Sequence, residues 1–269
     1  ISEILKIPAI IKIDDAVYEK STGLKSIQRK IEKIISSKIL KKAAKILVVN
    51  DEIKKIVKDF YNVPDEKISI IPNGIDVDLF HMNNQKNSKI VFFSGVMYYH
   101  RGIDILLKSV PAVVKKIPEV KFLLIGEGPE LENLKKIVKN YNINKNVEFR
   151  NWVDRKEIIN LLSEVTIGIG PLRSTTVTKD ALPIKVLEYM AASLPIIAQK
   201  DTLPYNVLCD GENGFFINNE EELATKIVYL LEDQKRSIQF GQKSREIVSN
   251  FDWKIITSKI IDEYEELKI

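Results

Sequence analysis

Two acids eight positions apart, Asp180 and Glu188, stand around a proline-led apolar segment, Asp180-Ala181-Leu182-Pro183-Ile184-Lys185-Val186-Leu187-Glu188-Tyr189-Met190-Ala191-Ala192. Proline's fixed φ suits the first helical position, where its missing N–H loses nothing, so Pro183 is expected to open a helix running to Ala192. Unbonded amides and the positive end of the helix dipole then face forward and favour a phosphate, to which Lys185 adds a full charge. Glu188, more than a turn further in, is placed to accept hydrogen bonds from hydroxyl groups. An anionic, hydroxyl-rich ligand such as a nucleotide sugar would use both features. The plainer alternative makes Asp180 a turn residue, Lys185 and Glu188 a solvated pair, and Leu187, Met190 and Ala191 a core-facing stripe.

The elements that must position these residues alternate β and α. In the first eighty residues the pattern predicts a strand over 8–13, a helix over 26–44 with Ile27, Ile31, Ile34 and Ile35 on one face, and a strand over 46–49. Asn50 then caps a helix over 51–61, and a strand follows over 67–71. Polar, unpatterned residues 81–88 read as a linker. A second βα series predicts strands over 89–93, 121–125, 147–149, 165–169, 195–198 and 214–217, with helices over 104–116, 130–141, 155–164, 184–192 and 220–232. Such alternation implies parallel sheets. The organisation expected is 1–80 as the later part of a first Rossmann-like domain, 81–88 as linker, 89–250 as a complete second domain, and 251–269 as a crossing helix that returns to the first.

Composition bounds the function classes. The chain has 269 residues, 45% hydrophobic and 29% charged, as in globular proteins. No apolar run approaches the roughly 20 residues of a membrane-spanning helix. The lone Cys209 rules out an internal disulfide and suits a reducing, cytoplasmic setting. A net charge of +4 is modest, and aromatic and basic residues are not interleaved as a nucleic-acid stacking platform requires. The first residue is Ile, so the chain is expected to begin inside a longer protein.

The run at 180–192, continued by Ser193-Leu194-Pro195-Ile196-Ile197-Ala198, resembles the donor-binding signature of group 1 glycosyltransferases, the glycogen-synthase-like retaining enzymes of GT-B fold. Further matches come in family order: Ile71-Pro72-Asn73-Gly74-Ile75-Asp76, Phe93-Ser94-Gly95 through Arg101-Gly102-Ile103-Asp104, Leu124-Ile125-Gly126-Glu127-Gly128-Pro129, and Gly211-Glu212-Asn213-Gly214-Phe215. The resemblance implies an α/β chain of GT-B type, two Rossmann-like domains with parallel sheets and the first one incomplete. It also implies sugar transfer from a nucleotide-diphosphate sugar to a glycan or lipid-linked acceptor with retention of configuration.

Site roles follow from the same resemblance. Glu188 matches the acid that holds the ribose hydroxyls, and Asp180 the acid facing the transferred sugar, with Asp in place of the usual Glu. Gly95 ends a strand before the diphosphate loop. The family supplies two cations there; Arg101 preserves one, but Val96 stands where an arginine is expected. Lys185 is read as the replacement, because a departing diphosphate needs its growing charge neutralised. Ala181, Leu182 and Ile184 offer amides to the diphosphate. Gly126 and Gly128 form a turn beside the nucleotide, and Leu131, where a dinucleotide fingerprint has its third glycine, argues against NAD. Val153 matches a position whose backbone meets the base.

Asp14, after the first strand, either orients an acceptor hydroxyl or, with Asp15, caps a turn. The resemblance implies no metal and no cofactor beyond the donor substrate. Lys25, Arg29, Lys30, Lys33, Lys38, Lys41 and Lys42 make the helix over 26–44 a basic amphipath, suited either to the anionic inner face of a membrane or simply to solvent. His100 is a candidate base or an ordinary loop residue, and Tyr98 and Tyr99 are candidate stacking platforms. Two other readings share the architecture: a nucleotide-sugar epimerase, whose catalytic acids and His find no match here, and a non-catalytic nucleotide-sugar binding protein.

Overall fold

A computed structural model describes residues 7–14, 24–80, 88–175 and 178–267, with side chains throughout these except in 24–30. The chain forms two compact units, Ile1–Gly74 with Trp253–Ile269, and Ile75–Asp252. The division lies ahead of the polar stretch, because Ile75, Val77 and Phe80 are apolar and bury in the second unit's core. Of the expected linker, residues 81–87 fall outside the described residues.

The first unit holds a parallel sheet in the order β1 (Ile10–Ile13), β2 (Lys45–Val48), β3 (Ile68–Ile70), with Ile11 opposite Ile46 and Ile46 opposite Ile68. Helices α1 (Leu24–Lys42) and α2 (Asp51–Tyr61) connect these strands. Asn50 caps α2 as expected, its side chain accepting from the Ile53 amide at 2.8 Å. Leu40, Ala43, Ile46, Val48, Ile53 and Val57 form the core. Ile31, Ile34, Ile35 and Ile39 on α1 are each more than half exposed, and Ile27 lies among the side chains not described. The final helix packs on this unit, where Ile256 meets Leu47 and Ile71 and Lys45 pairs with Glu263 at 2.9 Å.

The second unit is a six-stranded, all-parallel sheet. Its strands are β4 (Ile90–Ser94), β5 (Lys121–Ile125), β6 (Val147–Arg150), β7 (Ile167–Ile169), β8 (Ile196–Gln199) and β9 (Gly214–Ile217), arranged β6-β5-β4-β7-β8-β9. Alternation along the strands feeds both faces. Val91, Phe93, Phe122 and Leu124 meet α3 (Ile103–Lys116), α4 (Leu131–Asn140) and α7 (Glu220–Leu231). Phe92, Leu123 and Ile125 meet α5 (Arg155–Glu164), α6 (Ile184–Ala191) and the end of α8 (Gln234–Val248).

Helix α8 has no counterpart in the sequence reading. Its buried positions are Ser237, Gly241, Ser244 and Val248, a stripe of small residues with almost no hydrophobic signal. Gly241 explains the choice, since a β-carbon there would lie 2.0 Å from the Ser193 carbonyl oxygen. Close backbone approach at Gly241 seats the middle of this helix, while Phe240, Ile247 and Val248 supply its apolar contacts. The last helix, α9, spans Trp253–Glu265. Among the described residues no helix is long and apolar enough to cross a membrane.

Candidate functional site

The sheet order fixes where a ligand belongs. From β4 the chain builds outward to β5 and β6, then returns to the other side of β4 for β7, β8 and β9. The strand order thus reverses between β4 and β7, and at such a switch point an open parallel sheet takes its ligand at the carboxyl ends of the strands.

The loop after β4 is stitched to the turn after β5. The Gly95 amide donates to the Ile125 carbonyl at 2.9 Å, the Met97 amide to the Glu127 carbonyl at 2.8 Å, and the Glu130 amide to the Met97 carbonyl at 3.1 Å. Gly126 makes the approach possible. Its φ is +130°, and a β-carbon would stand 2.3 Å from the Gly95 carbonyl oxygen. Gly128 faces the Met97 backbone in the same manner. These glycines thus shape one continuous rim, while Val153, after β6, is half-buried against the core.

Helix α6 presents the charged groups. Pro183 sits one position before the helix, with φ −63° and ψ 138°, and not at the expected first helical position. Its extended ψ ends the preceding loop, while its carbonyl accepts from the Val186 amide at 2.9 Å, so Ile184 and Lys185 carry the leading amides. Ile184 is half exposed. The Ala181 amide, expected to face a ligand, turns back to the Thr178 carbonyl at 3.4 Å because residues 178–181 form a tight turn. Asp180 lies in that turn with φ +46°, its amide donating to the Asp201 carbonyl at 3.1 Å. Leu182 is half-buried against the core.

Lys185 reaches the end of β4, where its Nζ donates to the Ser94 carbonyl at 2.9 Å and lies 3.8 Å from the centroid of the Phe93 ring. The amino group also crowds Gly95, whose β-carbon would meet Nζ at 2.9 Å. Burial holds the Lys185 pKa well below the ordinary lysine range, and the nearby Arg101 charge pushes it the same way, against an opposing pull from Glu188. Burial also raises the Glu188 pKa, opposed by Arg155 and then Lys185. Arg155 Nε stands 3.8 Å from Glu188 Oε1. His100, stacked on Tyr98 at 5.2 Å, has its pKa lowered by burial and then by Arg101 and Lys185. The Lys185 charge is thus opposed by Arg101 and favoured by Glu188.

Asp14 belongs to the other unit, at the end of β1, where it pairs with Lys12; Asp15 lies outside the described residues. Several residues of the site escaped the sequence reading. The buried Tyr189 hydroxyl accepts from the Ser94 amide at 2.8 Å and lies 3.0 Å from Ser94 Oγ, pinning α6 to the strand end. Arg155 approaches Glu188, and Arg173 pairs with Asp104. The partners lie far apart in sequence, so no local pattern marks them. Among the described residues no group of three or more His, Cys, Asp or Glu side chains is arranged to hold a metal ion.

Comparison with known proteins gives a family. A profile described as "Glycosyl transferases group 1" matches residues 76–247, and one described as "Glycosyltransferase Family 4" matches residues 5–79. An uncharacterized glycosyltransferase of Methanocaldococcus jannaschii is 26% identical over 249 residues, covering 88% of this chain and 61% of the relative. A phosphatidyl-myo-inositol mannosyltransferase of Mycolicibacterium smegmatis is 23% identical over 203 residues, covering 72% of this chain and 51% of the relative. Among solved structures, Anabaena HepE in complex with UDP superposes with a TM-score of 0.79 at 18% identity, over 99% of this chain and 74% of that one. S. aureus TarM in complex with fondaparinux, α-GlcNAc-glycerol and UDP gives 0.74 at 20% identity, over 95% and 50%. These structures share the GT-B fold. This chain spans about three fifths of the length of the curated relatives named here, or less.

Proposed function

Since the chain belongs to the group 1 glycosyl transferases, we propose that its six-stranded unit binds the nucleoside diphosphate of a nucleotide sugar, and that the protein transfers this sugar with retention to a glycan or lipid-linked acceptor. One observation carries the proposal: α6 starts at Ile184, and Lys185 in its first turn reaches the carboxyl end of β4, donating to the Ser94 carbonyl at 2.9 Å where the strand order reverses.

In this reading Lys185, Arg101 and the leading amides of α6 hold the diphosphate and neutralise the charge that grows on it as the glycosidic bond breaks. Gly95, Gly126 and Gly128 let the loop after β4 and the turn after β5 close on each other and on Lys185, forming the rim beside which the nucleotide lies. Glu188 accepts from the ribose hydroxyls, the Val153 backbone meets the base, and Asp180 faces the sugar. Asp14 orients the acceptor hydroxyl. Charge neutralisation by protein cations assigns no role to a metal ion.

The acceptor side has one further support. The exposed Ile31, Ile34, Ile35 and Ile39 share α1 with Lys33, Lys38, Lys41 and Lys42, a combination suited to an anionic membrane surface on the cytoplasmic side, where lipid-linked acceptors reside.

Calorimetric titration with UDP, GDP and ADP, and then with their sugars, tests the donor site. Saturable heat is expected with at least one, and folded protein that responds to none overturns the proposal. Glu188→Ala should weaken binding more than Tyr99→Ala does. Release of free nucleoside diphosphate that depends on an added acceptor separates a transferase from a protein that only binds donor.

A further inference from the structure

Arg173 follows β7 and joins segments that carry separate parts of the donor site. Its Nη2 donates to Asp104 Oδ1 and Oδ2 at 2.7 and 2.8 Å, and its Nε donates to the Tyr99 carbonyl at 3.1 Å. The guanidinium lies 4.0 Å from the centroid of the Tyr99 ring. One residue earlier, the Leu172 amide donates to the Arg101 carbonyl at 3.1 Å. Gly102 closes against the same backbone, since a β-carbon there would lie 2.7 Å from the Leu172 carbonyl carbon. On its other side, the Arg173 carbonyl accepts from Thr178 Oγ1 at 2.6 Å, and Thr178 is fully buried two positions before Asp180.

Both carboxylate oxygens of Asp104 are engaged, so the charge of Arg173 is already balanced and its contribution is geometric. The two side chains are less than a quarter exposed, which separates this pair from the solvated ion pairs that contribute little. A planar fork that bonds a carboxylate, bonds a carbonyl and stacks on a ring is beyond a lysine.

We propose that Arg173 is a positioning residue of the donor site, holding the Tyr99–Gly102 turn and the turn that leads to Asp180 in one frame, so that Arg101 and Asp180 are set relative to each other. This rests on the donor-site reading above. It goes beyond that reading in making the placement of Arg101 depend on a residue that touches no substrate.

A double-mutant cycle tests it. The probe is whichever of UDP, GDP and ADP binds tightest by calorimetry. Arg101→Ala alone is expected to weaken binding about tenfold or more, and Arg173→Ala alone about tenfold, since a displacement near 1 Å can cost as much as about a hundredfold. In the Arg173→Ala background, Arg101→Ala should then cost about threefold or less, because the guanidinium it removes is already misplaced. Arg173→Lys and Asp104→Asn repeat the cycle with gentler changes, keeping the test open if the alanine variant fails to fold. Additive losses in all backgrounds overturn the positioning role while leaving the donor site intact. No loss from Arg101→Ala in the otherwise unaltered protein overturns both.

Discussion

The two parallel sheets use the same βα grammar but order their strands differently. In the six-stranded sheet the chain reverses its direction of growth at β4, which puts a switch point between β4 and β7, the place where such sheets take ligands. Among the described residues the three-stranded sheet grows in one direction, β1-β2-β3, without such a reversal. Packing differs as well. Both faces of the larger sheet are covered by helices, whereas α1 of the smaller unit leaves a row of isoleucines exposed. A site of this kind is a property of strand order, and the helix dipoles and charges that serve it collect where the order reverses.

This contrast can be broken by substitution. Gly126→Val should have the largest effect, because the new side chain would collide with the Gly95 backbone at a φ that valine avoids. A loss above about 3 kcal/mol is expected in thermal unfolding, together with loss of nucleotide binding. Ile46→Ala, at the centre of the small sheet, should cost about 2–5 kcal/mol through the cavity it leaves. Nucleotide affinity should nevertheless stay unchanged. If it fell in step, the assignment of the donor site to the larger unit alone would be wrong.

Ionisation sharpens the comparison further. Lys185 sheds its proton more readily in the free protein than an exposed lysine does, and a bound diphosphate should draw it back. Nucleotide affinity is therefore expected to fall as pH rises above the Lys185 pKa in the free protein, with net proton uptake seen as a buffer-dependent heat in calorimetry. On the acid side affinity should fall again as Glu188 protonates, beginning above the ordinary carboxylate range because burial raises its pKa. Stability carries the opposite trend on the alkaline side. Between the lowered folded pKa and the ordinary lysine value the unfolded chain holds more protons, so the Lys185 contribution to stability grows as pH rises. Substituting Lys185 by Met should remove both alkaline trends.

The smallest effect is expected from Ile34→Glu on α1. The side chain is exposed, so stability should change by no more than about 0.5 kcal/mol. Cosedimentation with vesicles rich in anionic lipid should drop, and vesicle binding that ignores this change would assign the face to some other cover.

Much of this was legible in the sequence. The strands Lys121–Ile125 and Gly214–Ile217 and the helix Arg155–Glu164 lie where period and flanking residues put them, because each carries a local pattern of apolar positions and end signals. Helix α8 lacked such a pattern, since glycine and serine are buried where a hydrophobic stripe would be expected. The division between the units moved to Gly74 because apolar residues at 75–80 join a core that sequence composition cannot foresee.

The sequence by itself determined the βα alternation, the GT-B resemblance and the positions of Lys185, Glu188 and Arg101 within its motifs, because these depend on residue types within short windows. Tertiary structure alone decided that Lys185 turns its amino group onto the Ser94 carbonyl, that Ala181 bonds within its own turn, and that Arg173 ties Asp104 to the loop bearing Arg101. The Lys185 and Arg173 contacts join residues separated by much of the unit. They are set by which strands become neighbours, and strand order is a global outcome of burying both faces of one sheet.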